Sequence, residues 1–174
     1  MRLNVLADGD WFITLEPVSQ DSESISLMKV AAPKISNGLL SGSKSISYGE
    51  SLLVVRKAKA IGFDDGVFIN EQGLVVETAL SNLLILDQDG WQTPALTTGC
   101  LPGISRELLI KWFDVRESEF DFEHLLSAQA VYVTSSIKLI QRVSKVEDRL
   151  FDESSVGKEL VDNFTSKLLS NINP

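Results

Sequence analysis

The sequence predicts a mixed α+β domain, and three observations carry that expectation. Gly66 to Glu77, GVFINEQGLVVE, places two short apolar runs around the turn formers Asn70 to Gly73, the signature of an antiparallel hairpin. Ser47 to Gly62 has a hydroxyl followed three residues later by Glu50, and then Leu52, Val55 and Ala58 at helical spacing, which predicts a capping box and a helix over about Tyr48 to Ile61. Phe151 to Asn171 carries Val156, Leu160, Phe164, Leu168 and Leu169 at steps of three and four, an amphipathic helix with its apolar stripe on a core.

The remaining elements follow in chain order. Arg2 to Leu6 and Trp11 to Glu16 flank the turn formers Asp8, Gly9 and Asp10, so the chain opens on a hairpin. A polar loop over Ser19 to Ser24 leads to a strand over Ile25 to Ala31, which Ala32, Pro33 and Lys34 end. Lys34 to Ser43 reads as loop, so Lys44 stands just before the helix and apart from its solvated Arg56, Lys57 and Lys59. After the central hairpin, Leu80 to Leu86 is a buried apolar run, and Glu107 to Trp112 a short helix that leaves the Ile104 and Ser105 amides at its N-terminus. Asp121 to Ser127 reads as a second short helix. The strands Ala130 to Thr134, ending in Ser135 and Ser136, and Leu139 to Val143 complete the set.

Composition bounds the function. At 174 residues, 44% hydrophobic, the chain can bury one sizeable core. A net charge of −8 argues against nucleic acid or an anionic membrane as the main partner, since both call for a basic face. One cysteine, Cys100, and one histidine, His124, allow neither an internal disulfide nor a zinc-ligand cluster, so no metal is expected and both residues read as structural. No apolar run is long enough for a membrane span and no export signal is legible, which points to the cytoplasm. Glu77 departs from packing logic. A carboxylate between Val75, Val76 and the Leu80 to Leu86 run needs a cationic partner or a proton donor to be buried at tolerable cost.

These residues carry a resemblance. GSKSISY before an amphipathic helix, the hairpin ending in Glu77, SNLLIL, and TPALTTGCLPGISR, taken in order over roughly Leu40 to Val146, resemble the class IV aminotransferases. This is the fold type IV group of pyridoxal-phosphate enzymes, which includes branched-chain and D-amino acid aminotransferases and 4-amino-4-deoxychorismate lyases. The resemblance implies a mainly antiparallel β pseudo-barrel with flanking helices, the large C-terminal domain of that fold. Residues 36–174 would bind pyridoxal 5'-phosphate, and residues 1–35 would be the remnant of a smaller N-terminal domain with its connecting segment. It further implies a homodimer and a small-molecule amino substrate.

Residue by residue, the resemblance implies that Lys44 supplies the amine that condenses with the cofactor aldehyde and that Glu77 holds the pyridine nitrogen protonated. Tyr48 would reach the ring O3' oxygen. Ile104 and Ser105 would give the phosphate their amides, and Ser105, Ser135 and Ser136 their hydroxyls. Each also has an ordinary reading: a solvated loop lysine, a strand-end glutamate, a packing tyrosine, an N-cap serine and turn serines. Arg106 is either a phosphate neighbour or a surface charge of the helix. The family's N-terminal domain usually contributes an arginine to the phosphate, and Arg2 to Pro17 reads as only its last strands, so weak cofactor binding by this chain is expected. Transaminases of the class commonly carry a glutamate before Thr-Pro-Val after the later strand, where this chain has Leu139, Gln141 and Arg142. That difference is similar to the lyases, and implies conversion of 4-amino-4-deoxychorismate to 4-aminobenzoate and pyruvate. An aminotransferase and a catalytically silent remnant stand as the alternatives.

Overall fold

The computed structural model describes residues 2–15 and 22–172. The expected end of the first hairpin at Glu16, and most of the loop before Ser24, lie outside the described residues. The opening hairpin is formed by β1 (Arg2–Val5) and β2 (Trp11–Thr14), antiparallel and paired only with each other among the described residues. Gly9, at φ +93°, takes the left-handed turn position that a side chain would resist. Leu3, Val5, Trp11, Phe12 and Ile13 are all exposed, so these side chains add nothing to the main core, although Asn4 is buried.

The main sheet takes β3 (Ser24–Lys29), then, after helix α1 (Gly49–Ala60), β4 (Asp65–Ile69), β5 (Val75–Thr78), β6 (Asn82–Asp87) and β7 (Gly90–Pro94). Helix α2 (Ile104–Phe113), β8 (Arg116–Ser118) and helix α3 (Phe122–Ser127) follow. The chain ends with β9 (Ala130–Ser135), β10 (Leu139–Val146), β11 (Arg149–Leu150) and helix α4 (Ser155–Ile172). Nine strands share this sheet in the order β5-β4-β3-β10-β9-β6-β7-β8, with β11 paired to β10. Five of its pairings are antiparallel, and β3 runs parallel to both β4 and β10, as β7 does to β8. The sheet curls until its ends meet: the Val75 amide donates to Phe120 O at 2.8 Å, and Leu74 bridges Asp121. The expected α+β fold with a mainly antiparallel pseudo-barrel is therefore observed. Because β3 lies between β4 and β10, the segment expected to belong with the N-terminal remnant contributes a strand to the same layer.

Alternation of side chains across the strands separates two cores. Inside the curl pack Leu27, Val67, Val75, Leu83, Ile85, Val131, Val133 and Val143, capped by Phe122 and Leu125 of α3. Outside it, Leu84, Tyr132 and Ile140 meet Leu109 of α2 and Leu160 and Phe164 of α4. A third cluster seats Val54 of α1 on Phe68 and Val76.

The expected elements are present with shifted ends, and two expectations are corrected. No capping box forms at α1. Its N-cap is Tyr48, with no side-chain bond to the helix, because the chain enters the helix one residue later than the Ser47–Glu50 pattern requires. Glu77 also does not end its strand, which continues to Thr78. β7, β8 and β11 were not legible: Gly90 to Pro94 carries a proline, and Arg116 to Ser118 and Arg149–Leu150 are short and largely exposed, so none shows an alternating pattern.

Gly157 tests the seating of α4. A glycine inside a helix ordinarily costs about 0.5–1 kcal/mol relative to alanine, but here a Cβ would overlap the Tyr132 hydroxyl of β9. Gly157→Ala is therefore expected to destabilise the fold by roughly 1–3 kcal/mol. Urea unfolding checks this, and a stabilised variant would show that α4 is free to move off the sheet.

Candidate functional site

A cavity of about 860 Å³ opens where the end of β5, the start of β6, the end of β9, the N-terminus of α2 and the loop before α1 converge. All seven residues singled out by the sequence line it: Lys44, Tyr48, Glu77, Ile104, Ser105, Ser135 and Ser136. They come from four separate segments, so the fold brings together what the chain keeps apart.

Glu77 is the most constrained of them. It is 9% exposed, and its Oε2 accepts the Leu101 amide at 2.9 Å and the Asn82 side-chain amide at 3.3 Å. Oε1 receives the ammonium of Lys34 in an ion pair. The cation required by burial is thus present, but it is Lys34 and not Lys44. Lys34 reads as a loop residue in sequence; what places it is the backbone bridge to Asn70, which lays the segment after β3 alongside the end of β4. Lys44 instead donates to Tyr48 Oη at 2.5 Å and lies 5.2 Å from that ring's centroid, on the exposed approach to α1.

Asn82 escaped the sequence reading as a site residue, although an asparagine at the head of the apolar run SNLLILD was its signal. Besides Glu77 it reaches Leu101 O at 2.8 Å, so it ties the carboxylate to the loop that leads into α2. A Cβ at Gly103 would overlap the Asn82 side chain, so glycine is required at that position.

Helix α2, whose first residues also line the cavity, begins with Gly103 as N-cap and no side-chain cap. Ser105 is thus a buried first-turn residue and not the N-cap its ordinary reading assigned. The amides of Ile104 and Ser105 sit at the positive end of the helix, facing the cavity that Thr134, Ser135 and Ser136 close from the end of β9. Arg106 takes neither expected role. It is 3% exposed, its Nη2 donates to Pro94 O at 2.8 Å and pairs with Glu117, and it ties α2 to β7 and β8 beneath the site. Cys100 is buried, and burial pushes its thiol pKa up, which suits a packing residue. His124 bonds Asp87 at 2.9 Å on the surface, away from the cavity.

The cavity lining thus offers donors for a phosphate, a fixed carboxylate, and an amine beside a phenol. The donor set and the volume fit pyridoxal phosphate. The family model for class IV amino-transferases matches residues 2–146. The chain belongs to that family. It is 30% identical to the branched-chain-amino-acid aminotransferase of Escherichia coli K12 over 116 residues, which is 64% of this chain and 38% of that enzyme. A crystal structure from Legionella pneumophila, provisionally assigned as a 4-amino-4-deoxychorismate lyase, superposes with a TM-score of 0.82 at 25% identity, covering 90% of this chain and 60% of that one. A hypothetical aminotransferase from Mycobacterium tuberculosis, in its pyridoxal-phosphate-bound form, shares the fold, with a TM-score of 0.77 at 21% identity over 85% of this chain and 56% of that one. The chain spans about half the length of the relatives it matches. Class IV aminotransferases are pyridoxal-phosphate enzymes, and that is the cofactor of this family member. Among the described residues no helix is long and apolar enough to cross a membrane.

The turn between Glu77 and Asn82 rests on a buried acid. Asp65, 5% exposed, accepts the Gly66 amide at 2.7 Å and the Leu80 amide at 3.3 Å. Burial raises its pKa, against the lowering effect of those bonds and of the Thr78 hydroxyl. With the folded pKa above the unfolded one, the protonated form is favoured by folding. Its contribution is fully present below the unfolded pKa and is lost as pH rises through the folded one. On acidification from neutrality the wild type is expected to gain stability that an Asp65→Asn variant does not. Urea midpoints of the two across that pH range check this, and a constant difference between them would contradict it.

Proposed function

We propose that this chain forms the cofactor-binding part of an aminodeoxychorismate lyase, which converts 4-amino-4-deoxychorismate to 4-aminobenzoate and pyruvate. The convergence of Lys44, Tyr48, Glu77 and the uncapped end of α2 on one cavity carries the reading. When bound, the cofactor supplies an electron sink for charge developing at the amino-bearing carbon of the substrate. Lys44 is the attachment point and the proton carrier: the proton leaves that ring carbon, the C–O bond to the enolpyruvyl group breaks, and pyruvate departs with a proton as the ring aromatises. Tyr48 orients the phenolic edge of the cofactor and Glu77 its nitrogen. Ile104 and Ser105, with Ser135 and Ser136, hold the phosphate.

The residues that differ from the transaminase pattern, Leu139, Gln141 and Arg142, resemble the lyases. Gln141 donates to Ser22 O at 2.7 Å and Arg142 to Phe151 O at 2.9 Å, so both side chains are engaged within the fold. The identity with the Escherichia coli branched-chain enzyme favours the second reading, an aminotransferase using the same residues. We place the protein in the cytoplasm as a homodimer. Exposed Ile35, Leu39 and Leu40 at the cavity mouth, and the apolar hairpin β1–β2, are the surfaces a partner subunit and the N-terminal domain would cover. Residues 1–35 then lead out of that domain, except that β3 joins the main sheet and Lys34 and Ile35 reach the cavity, and residues 36–174 carry the rest of the site.

Because Arg106 is committed beneath α2, the phosphate lacks a charge-assisted arginine contact from that helix, worth about 1.5–3 kcal/mol. The chain is expected to purify largely free of cofactor and to bind it on titration, with visible absorption that Lys44→Ala abolishes. Borohydride reduction and peptide mapping should place the label on Lys44, and a label on Lys57 or Lys59 would overturn the assignment. With 4-amino-4-deoxychorismate and saturating cofactor, fluorescent 4-aminobenzoate is the expected product. A new amino acid formed from an added oxo acid would establish the aminotransferase.

A further inference from the structure

Glu77 has a resident cation, and the cofactor needs the same carboxylate. We infer that Lys34 is a counter-ion that competes with the cofactor's ring nitrogen for Glu77, and that the nitrogen takes its place only by displacing the Lys34 ammonium. This rests on the pyridoxal-phosphate reading of the cavity.

The bonding of Glu77 separates fixed partners from the exchangeable one. Oε2 is held by the Leu101 backbone amide and by Asn82, itself fixed to Leu101 O, and neither can leave without moving the loop into α2. Oε1 is held by Lys34, whose side chain remains 22% exposed, crosses the face of Phe68 with its ammonium 5.4 Å from the ring centroid, and lines the cavity. A long, partly exposed ammonium can rotate off; a protonated ring nitrogen approaching the same oxygen meets a like charge until it does. Without cofactor, Lys34 neutralises a carboxylate that would otherwise be buried with only neutral donors. With cofactor, the ring assumes that duty and Lys34 turns into the cavity. Lys34 is in these terms a positioning residue that lowers cofactor affinity and stabilises the empty protein.

The test uses the full chain and Lys34→Met, which keeps the apolar stem over Phe68 and removes the charge. In the absence of cofactor, Lys34→Met should melt below the wild type, and that difference should vanish in a Glu77→Gln background. Additivity of the two substitutions would overturn the inference without reference to any ligand. In absorbance titrations, Lys34→Met should bind pyridoxal phosphate about tenfold tighter, the scale of one partly buried ion pair. It should bind an analogue with C–H in place of the ring nitrogen no tighter than the wild type does. Unchanged or weaker pyridoxal phosphate binding, or equal tightening toward the carbon analogue, would overturn the competition while leaving the cofactor assignment intact. Failure of both proteins to bind pyridoxal phosphate would overturn the cofactor assignment and the competition with it.

Discussion

A carboxylate that cannot be hydrated is the constraint on which this structure turns. Glu77 sits on a strand whose neighbours are aliphatic, and its charge is tolerable there only because three donors from three segments meet it. Each donor fixes its segment. The Leu101 amide sets the loop that delivers α2, Asn82 sets the start of β6, and Lys34 sets the strand-like segment beyond β3. The cavity is what remains between these pieces once the carboxylate has drawn them together.

The start of α2 depends on an omission. An uncapped helix N-terminus leaves amide donors unsatisfied, and in most helices a serine, threonine or aspartate side chain would fill the gap. Here Gly103 occupies the cap position, where Asn82 leaves no space for a Cβ. The packing that ties Asn82 to Glu77 therefore also excludes the residues that would have capped α2 internally, so the carboxylate end and the amide end of the cavity are coupled through one asparagine. Beneath them Arg106 carries a buried guanidinium, matched by Glu117 and Pro94 O, which anchors the same helix from the core side.

Much of this was legible in the sequence because it rests on local patterns. Alternating or continuous apolar runs identified β4, β5, β6, β9 and β10, helical spacing identified α1 and α4, and the order of motifs led to the seven residues that line the cavity. What was not legible depends on segments distant in the chain. No local rule connects Lys34 with Glu77, because the connection is made by β3 lying parallel to β4 and carrying the following segment to Asn70. Arg106 likewise reads as a phosphate neighbour or a surface charge until β7 and β8, themselves without periodicity, are placed beneath α2. The Ser47–Glu50 capping pattern was present and unused, since a weak local preference yields to the way the chain enters the helix from the cavity rim.

The position of β3 also shapes how the molecule must assemble. It emerges early from synthesis, yet one of its two neighbours is β10, and the bond from Gln141 to Ser22 O closes 119 residues of chain. Until β10 is made, Ile25 and Leu27 present an apolar strand with one unpaired edge, and the inner core lacks the side chains of Val143 and Val146. Closure of such non-local, parallel pairings is slow and comes late, and an exposed strand edge invites pairing with other chains in the interval. The strand that brings Lys34 to its place is thus also the one that makes the folding of this domain a single, delayed event rather than a progressive one.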